Sequence, residues 1–71
     1  MTKIRVSSLV RDLGITQYLK DLLEQYGLTT VRKLANCEGT TLRQIKGLGA
    51  DKIRILAEEL DQHQIPHRLR E

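Results

Sequence analysis

The sequence contains no Trp and no Phe, and its only aromatic residues are two tyrosines, Tyr18 and Tyr26. A core without large rings has to be filled by Leu, Ile, Val and Ala, whose few well-defined rotamers suit packing between short helices. There is one cysteine, Cys37, which excludes an internal disulfide and falls three soft ligands short of a zinc site. That usage implies a reducing, intracellular setting. There is one proline, Pro66, and no Pro-, Gly- or Ser-rich stretch to mark a linker. Long apolar runs are missing as well. Met1-Thr2-Lys3-Ile4-Arg5-Val6 is interrupted by charge, so this stretch is expected to be neither a signal peptide nor a membrane span, and a cytoplasmic protein without a membrane partner is expected.

A chain of 71 residues has room for one domain, here 1–71 with an ordered core of about 7–65, and none for a cofactor-binding core beside a catalytic cleft. The expectation is a non-enzymatic protein with no cofactor and no small-molecule substrate. Twelve Lys and Arg against nine Asp and Glu give a net charge of +3, which favours polyanions slightly. The distribution says more than the total. Arg43, Lys46, Lys52 and Arg54 bracket one glycine-rich turn, while Glu58, Glu59 and Asp61 follow one to two turns later, expected in solvent or else as an acidic docking patch.

Helical spacing dominates. Leu19, Leu22, Leu23 and Tyr26 fall at i, i+3, i+4 and i+7 behind Thr16, which predicts a capped helix from about Gln17 to Tyr26, ended by Gly27. Val31, Leu34 and Ala35 form a short stripe behind Thr29 or Thr30, ending near Asn36. Thr41 and Gln44 fit a capping box and predict a brief third helix that ends at Lys46. Ile53, Leu56, Ala57 and Leu60 share one face of a fourth helix from about Ala50 to Gln62. Leu9, Val10 and Leu13, with Ser7 or Ser8 as cap, predict a turn of helix that closes the bottom of the core. Period-two alternation is nowhere sustained, so the predicted class is all-α, a compact bundle of four to five short helices.

The segment from Leu42 to Leu56 carries the most specific signal. In Gly47-Leu48-Gly49 the short link between two helices calls for left-handed backbone, which glycine reaches without a Cβ clash, and positive φ is expected at both glycines. Leu48 is expected to turn inward. The amides from Gly47 to Lys52 are then expected to face outward at a helix N-terminus, where the dipole favours an anion, with Lys52 adding a charge-assisted contact and Asp51 opposing it. The run Leu42, Ile45, Leu48, Ile53 and Leu56 around this turn resembles the helix-hairpin-helix (SAM-like) motif family. An earlier echo, Gly27-Leu28-Thr29-Thr30, carries Thr29 where the second turn has Gly49 and is expected to serve packing.

From about Val10 to Leu69 the pattern is similar to the C-terminal domain of the bacterial RNA polymerase alpha subunit, of which this chain looks like a divergent or stand-alone relative. The resemblance rests on Leu13, Ile15, Thr16, Leu23, Leu28, Val31, Leu34, Leu42, Leu48, Gly49, Ile53 and Leu56. It implies a helical domain that contacts promoter DNA in the minor groove and is met by transcription activators. In that family the DNA-binding helix has an arginine where this chain has Tyr18 and an asparagine where it has Asp21. The expected interface is therefore backbone phosphate held by Gly47, Gly49 and Lys52, with Arg43, Lys46 and Arg54 adding field. The alternative is a protein-interaction module that docks on a transcription or replication protein through Tyr18, Asp21 and the acidic end of the fourth helix. His63 and His67 stand four apart, but Pro66 breaks the helix between them and no third ligand is near, so no metal is expected. Cys37 is expected to be a small buried or half-buried residue and not a nucleophile, and Arg32-Lys33 a solvated helix face or else an extension of the basic surface.

Overall fold

Thr16 opens the first helix: its hydroxyl accepts the Leu19 amide at 3.4 Å in the computed structural model, which describes residues 4–71. The Met1-Thr2-Lys3 part of the N-terminal expectation lies outside the described residues. Helix α1 spans Gln17–Gln25 and buries Leu19 and Leu23. It ends in a Schellman motif, with Tyr26 as C-cap and Gly27 at φ +79°; the Leu28 amide donates to Leu23 and the Gly27 amide to Glu24. Helix α2, Val31–Ala35, is capped by Thr30, whose hydroxyl accepts the Lys33 amide at 3.2 Å. Of the two threonines open as caps, Thr30 takes the role.

Helix α3 differs from expectation. It spans Gly39–Leu42 behind Glu38, so it starts before Thr41 and stops before Lys46, and no Thr41–Gln44 capping box forms. The cause lies at the C-terminal end of the chain. The Gly39 amide donates to the Arg68 carbonyl at 3.2 Å and the Thr40 amide to the Glu71 carbonyl at 3.0 Å, so the tail satisfies the helix start that a capping box would have served. The Gln44 and Ile45 amides then bond three residues back, to Thr41 and Leu42, which tightens the chain out of the helix.

Helix α4, Ala50–Gln62, buries Ile53, Leu56, Ala57 and Leu60. It stops before Pro66 is reached. His63 is its C-cap and Gln64 lies at φ +58°, with the Ile65 amide donating to Leu60 and the Gln64 amide to Asp61, a Schellman ending without glycine. Ahead of α1, Val10–Asp12 makes one 3-10 turn that buries Val10; Leu13 is buried behind it. Leu9 is exposed and no Ser caps this turn: Ser8 instead accepts the Arg5 amide at 2.9 Å, and Leu9 lies against Thr30 as an isolated bridge.

Among the described residues the fold is all-helical, with four α-helices and no strand. The Cα radius of gyration, 10.8 Å, is what a compact chain of this length should have, about 11 Å. The core is aliphatic throughout, with Leu23, Val31, Leu34, Leu42, Leu56 and Leu60 fully buried. It reaches Ile4 at one end and Leu69 at the other, beyond the 7–65 span, because the N-terminal segment bonds to Val31 and Arg32 and the tail to α2 and α3. No helix among the described residues is long and apolar enough to cross a membrane.

Candidate nucleic-acid interface

The turn between α3 and α4 is shaped by two glycines that behave differently. Gly47 has φ +92°, and a Cβ built there would fall 2.5 Å from the Tyr18 hydroxyl. The torsion calls for glycine, whereas the crowding atom is the tip of an exposed side chain that can move aside. Gly49, at φ −86° and ψ 178°, is extended backbone with nothing within 4 Å of a built Cβ, so the expected positive φ does not occur there. The reversal is completed at Gly47 alone, and Gly49 instead serves as N-cap of α4.

That N-cap has no side chain to bond the helix start. The amides of Ala50, Asp51 and Lys52 are those that an α-helix leaves without an intrahelical acceptor, and at α1 and α2 threonines relieve this deficit. The outward-facing run is shorter than expected, since the Leu48 amide is taken by the Ile45 carbonyl at 3.0 Å. Leu48 itself is buried, as the inward turn requires.

The surrounding charges are unequally available. Arg43, the α3 C-cap, and Lys46 are exposed, and neither has an ion-pair partner among the described residues. Lys52 is half-buried on the first turn of α4. Arg54 sits 3.8 Å from Asp51, so one basic residue of the set partly neutralises the acid that opposes an anion. Both of these side chains are well exposed, and the pair is worth little. Arg43 and Arg54 line one shallow depression together with Ala50.

The two sets of site residues meet at one point. Tyr18, on α1 and 55% exposed, donates from its hydroxyl to the Gly47 carbonyl at 3.4 Å. Asp21 lies one turn further along α1, accepts from the Gln17 amide group at 2.9 Å, and faces a separate depression of mixed charge with Arg11, Lys20 and Glu24. Tyr18 therefore belongs with the α3–α4 turn, whereas Asp21 opens onto a different surface.

The acidic end of α4 is less free than its sequence implies. Glu59 is half-buried and accepts from the Gly14 amide at 2.8 Å, with His63 Nε2 at 3.2 Å. Asp61 pairs with Arg70 at 2.7 Å and with His67 at 2.8 Å, and the Arg70 and His67 hydrogen bonds hold its carboxyl below the usual range. Of the three, Glu58 alone stands in solvent without an ion pair among the described residues, so a common acidic docking patch is not formed. No group of three or more His, Cys, Asp or Glu among the described residues could hold a metal ion. Cys37 is half-buried, its thiol donates to the Lys33 carbonyl at 3.3 Å, and burial raises its pKa. The chain matches no protein-family model, no curated protein and no solved structure.

Proposed function

We propose that the chain is a non-enzymatic helix-hairpin-helix module that holds a nucleic-acid backbone phosphate, in the manner implied by its resemblance to the polymerase alpha C-terminal domain and in the setting of transcription. The observation that carries this reading is the α4 start. Its amides at Ala50, Asp51 and Lys52 are left open by a Gly49 cap, beside the positive-φ turn at Gly47, with Lys52 on the helix and Lys46 and Arg43 flanking it. A phosphate oxygen at that point meets the positive end of the helix dipole and at least one ammonium. Binding of this kind is tolerant of base sequence, weak for a single copy, and steeply salt-dependent.

The test is an NMR titration of the labelled chain with a short DNA duplex at two salt concentrations. Amide shifts centred on Gly49 to Lys52 that vanish in high salt are expected, and Lys52→Glu abolishes them with the fold intact. The absence of any shift at millimolar duplex in low salt overturns the proposal. A second reading, protein docking through the α1 surface, is favoured by the exposure of Tyr18. It predicts that Tyr18→Ala removes partner binding while the response of Gly49 to Lys52 to duplex is kept.

A further inference from the structure

Beside the α4 start lies a depression of about 210 Å³ that shares Ala50 and Arg43 with the proposed phosphate site but extends away from it along α4. It runs along one side of α4 and is closed by the C-terminal tail. Three arginines from three different elements line it: Arg43 at the end of α3, Arg54 on α4 and Arg70 on the tail. Between them are Ile53, Ala57 and Leu69, which are buried to 5% exposure or less. The floor is therefore shallow, and the guanidinium groups dominate what the site offers. Arg43 has no ion-pair partner among the described residues, Arg54 has only the exposed contact to Asp51 at 3.8 Å, and Arg70 is held by Asp61 at 2.7 Å.

We propose that this depression docks an acidic peptide segment of a partner protein, whose carboxylates pair with Arg43 and Arg54. Arginine forks match carboxylates in a bidentate geometry, and two of them in the lining of one depression favour an acidic segment. Arg70 also lines the depression but is already fixed by Asp61. The volume is below the roughly 300–1,000 Å³ of sites that enclose a drug-sized molecule, so an extended segment laid across the depression fits it better than a buried small molecule. Neither tyrosine lines it, so the site has no platform on which a base could stack. The site does not depend on phosphate binding at the α4 amides, although an occupant engaging Arg43 and Arg54 would compete with a polyanion for them.

The probe is a capped hexapeptide, Asp-Glu-Asp-Val-Glu-Asp, titrated into the labelled full chain at low salt, with its Asn/Gln counterpart as control. Shifts at Ile53, Ala57 and Leu69 are expected with the acidic peptide only. Arg43→Glu and Arg54→Glu each weaken binding about tenfold, as expected for a lost charge-assisted contact. Lys33→Glu, an equal change of charge on α2, weakens it less than about threefold. These substituted side chains are exposed, and a dispersed amide spectrum verifies the fold of each variant. No binding of the acidic peptide, or an equal loss from Lys33→Glu, overturns the proposal. Duplex-induced shifts at Ile53, Ala57 and Leu69 without any from the peptide also overturn it, in favour of nucleic acid. Phosphate binding is read separately at Gly49, Asp51 and Lys52, which do not line the depression, so either site can fail alone.

Discussion

The hydroxyl of Tyr18 sits 3.4 Å from the Gly47 carbonyl and closes over the face of Gly47 on which a side chain would stand. Two separate costs therefore meet a Gly47→Ala variant. The torsional one, at φ +92°, is about 1–2 kcal/mol. The steric one is small because the obstructing atom is the tip of an exposed side chain. Urea unfolding of Gly47→Ala is expected to show a loss of about 1–2 kcal/mol, nearly unchanged in a Tyr18→Ala background. A loss that disappears in the double variant would mean that the ring, and not the backbone, makes glycine necessary there.

Gly49 is expected to behave in the opposite way. Its backbone is extended and its surroundings are open, so Gly49→Ser fits without strain and supplies the hydroxyl cap that α4 lacks. Thermal unfolding should show a gain of roughly 0.3 kcal/mol. Duplex binding should weaken in the same variant, since the serine oxygen takes an amide offered to phosphate. Stability and binding that rise together would remove the open helix start from the proposed phosphate site.

These two glycines also show where the sequence was legible. Thr16 and Thr30 cap their helices and Ala50–Gln62 runs to its expected ends, because caps and apolar stripes act between residues at most a few turns apart. A Gly-Leu-Gly string, by contrast, does not reveal which glycine carries the positive φ; that depends on how the flanking helices pack. The start of α3, the Glu59 contact to Gly14 and the seat of Leu69 were not legible, since each joins segments far apart in the chain. The proximity of Tyr18 to the α3–α4 turn is likewise a product of tertiary packing. For the candidate interface, sequence located the turn and its basic residues, and the structure determined which amides remain open.

The seat of the tail makes a strong demand on Gly39. A Cβ built there would fall 2.1 Å from the Leu69 carbonyl oxygen and 3.0 Å from that of Glu71, both backbone atoms that cannot rotate aside. Gly39→Ala is expected to lift the tail, and exposing the Leu69 side chain alone costs about 1.5–3 kcal/mol. Hydrogen exchange at Thr40 and Arg68, whose amides bridge tail and helices, should accelerate before global unfolding. Unchanged protection at both would show that the tail accommodates the methyl.

The tail is also fastened by charge. Hydrogen bonds from Arg70 and His67 hold the Asp61 carboxyl below its ordinary value of 3.8. A carboxyl depressed in the folded state binds fewer protons than in the unfolded chain, so its contribution is complete above the ordinary value and is lost as pH falls through the depressed one. In wild type, the melting temperature should fall as pH drops below about 3.8, and Asp61→Asn should flatten that part of the profile while lowering the plateau at neutral pH. A variant whose acid limb superimposes on that of the wild type would show that Asp61 does not latch the tail.

Gln64 bears the remaining strain in this segment. At φ +58° it occupies the position after the α4 C-cap where helices commonly place glycine, and the Schellman bonds of Ile65 and Gln64 hold it there. Its side chain is exposed, so replacing it removes little packing. The left-handed backbone costs a residue with Cβ about 1–2 kcal/mol, while glycine adds freedom to the unfolded chain that offsets part of the gain. Gln64→Gly is therefore expected to raise stability by about 0.5–1 kcal/mol in urea unfolding, with the Ile65 and Leu69 contacts unchanged. A Gln64→Ala variant, which keeps the Cβ, should gain nothing. Equal effects from both would place the cause in the glutamine side chain and not in its backbone.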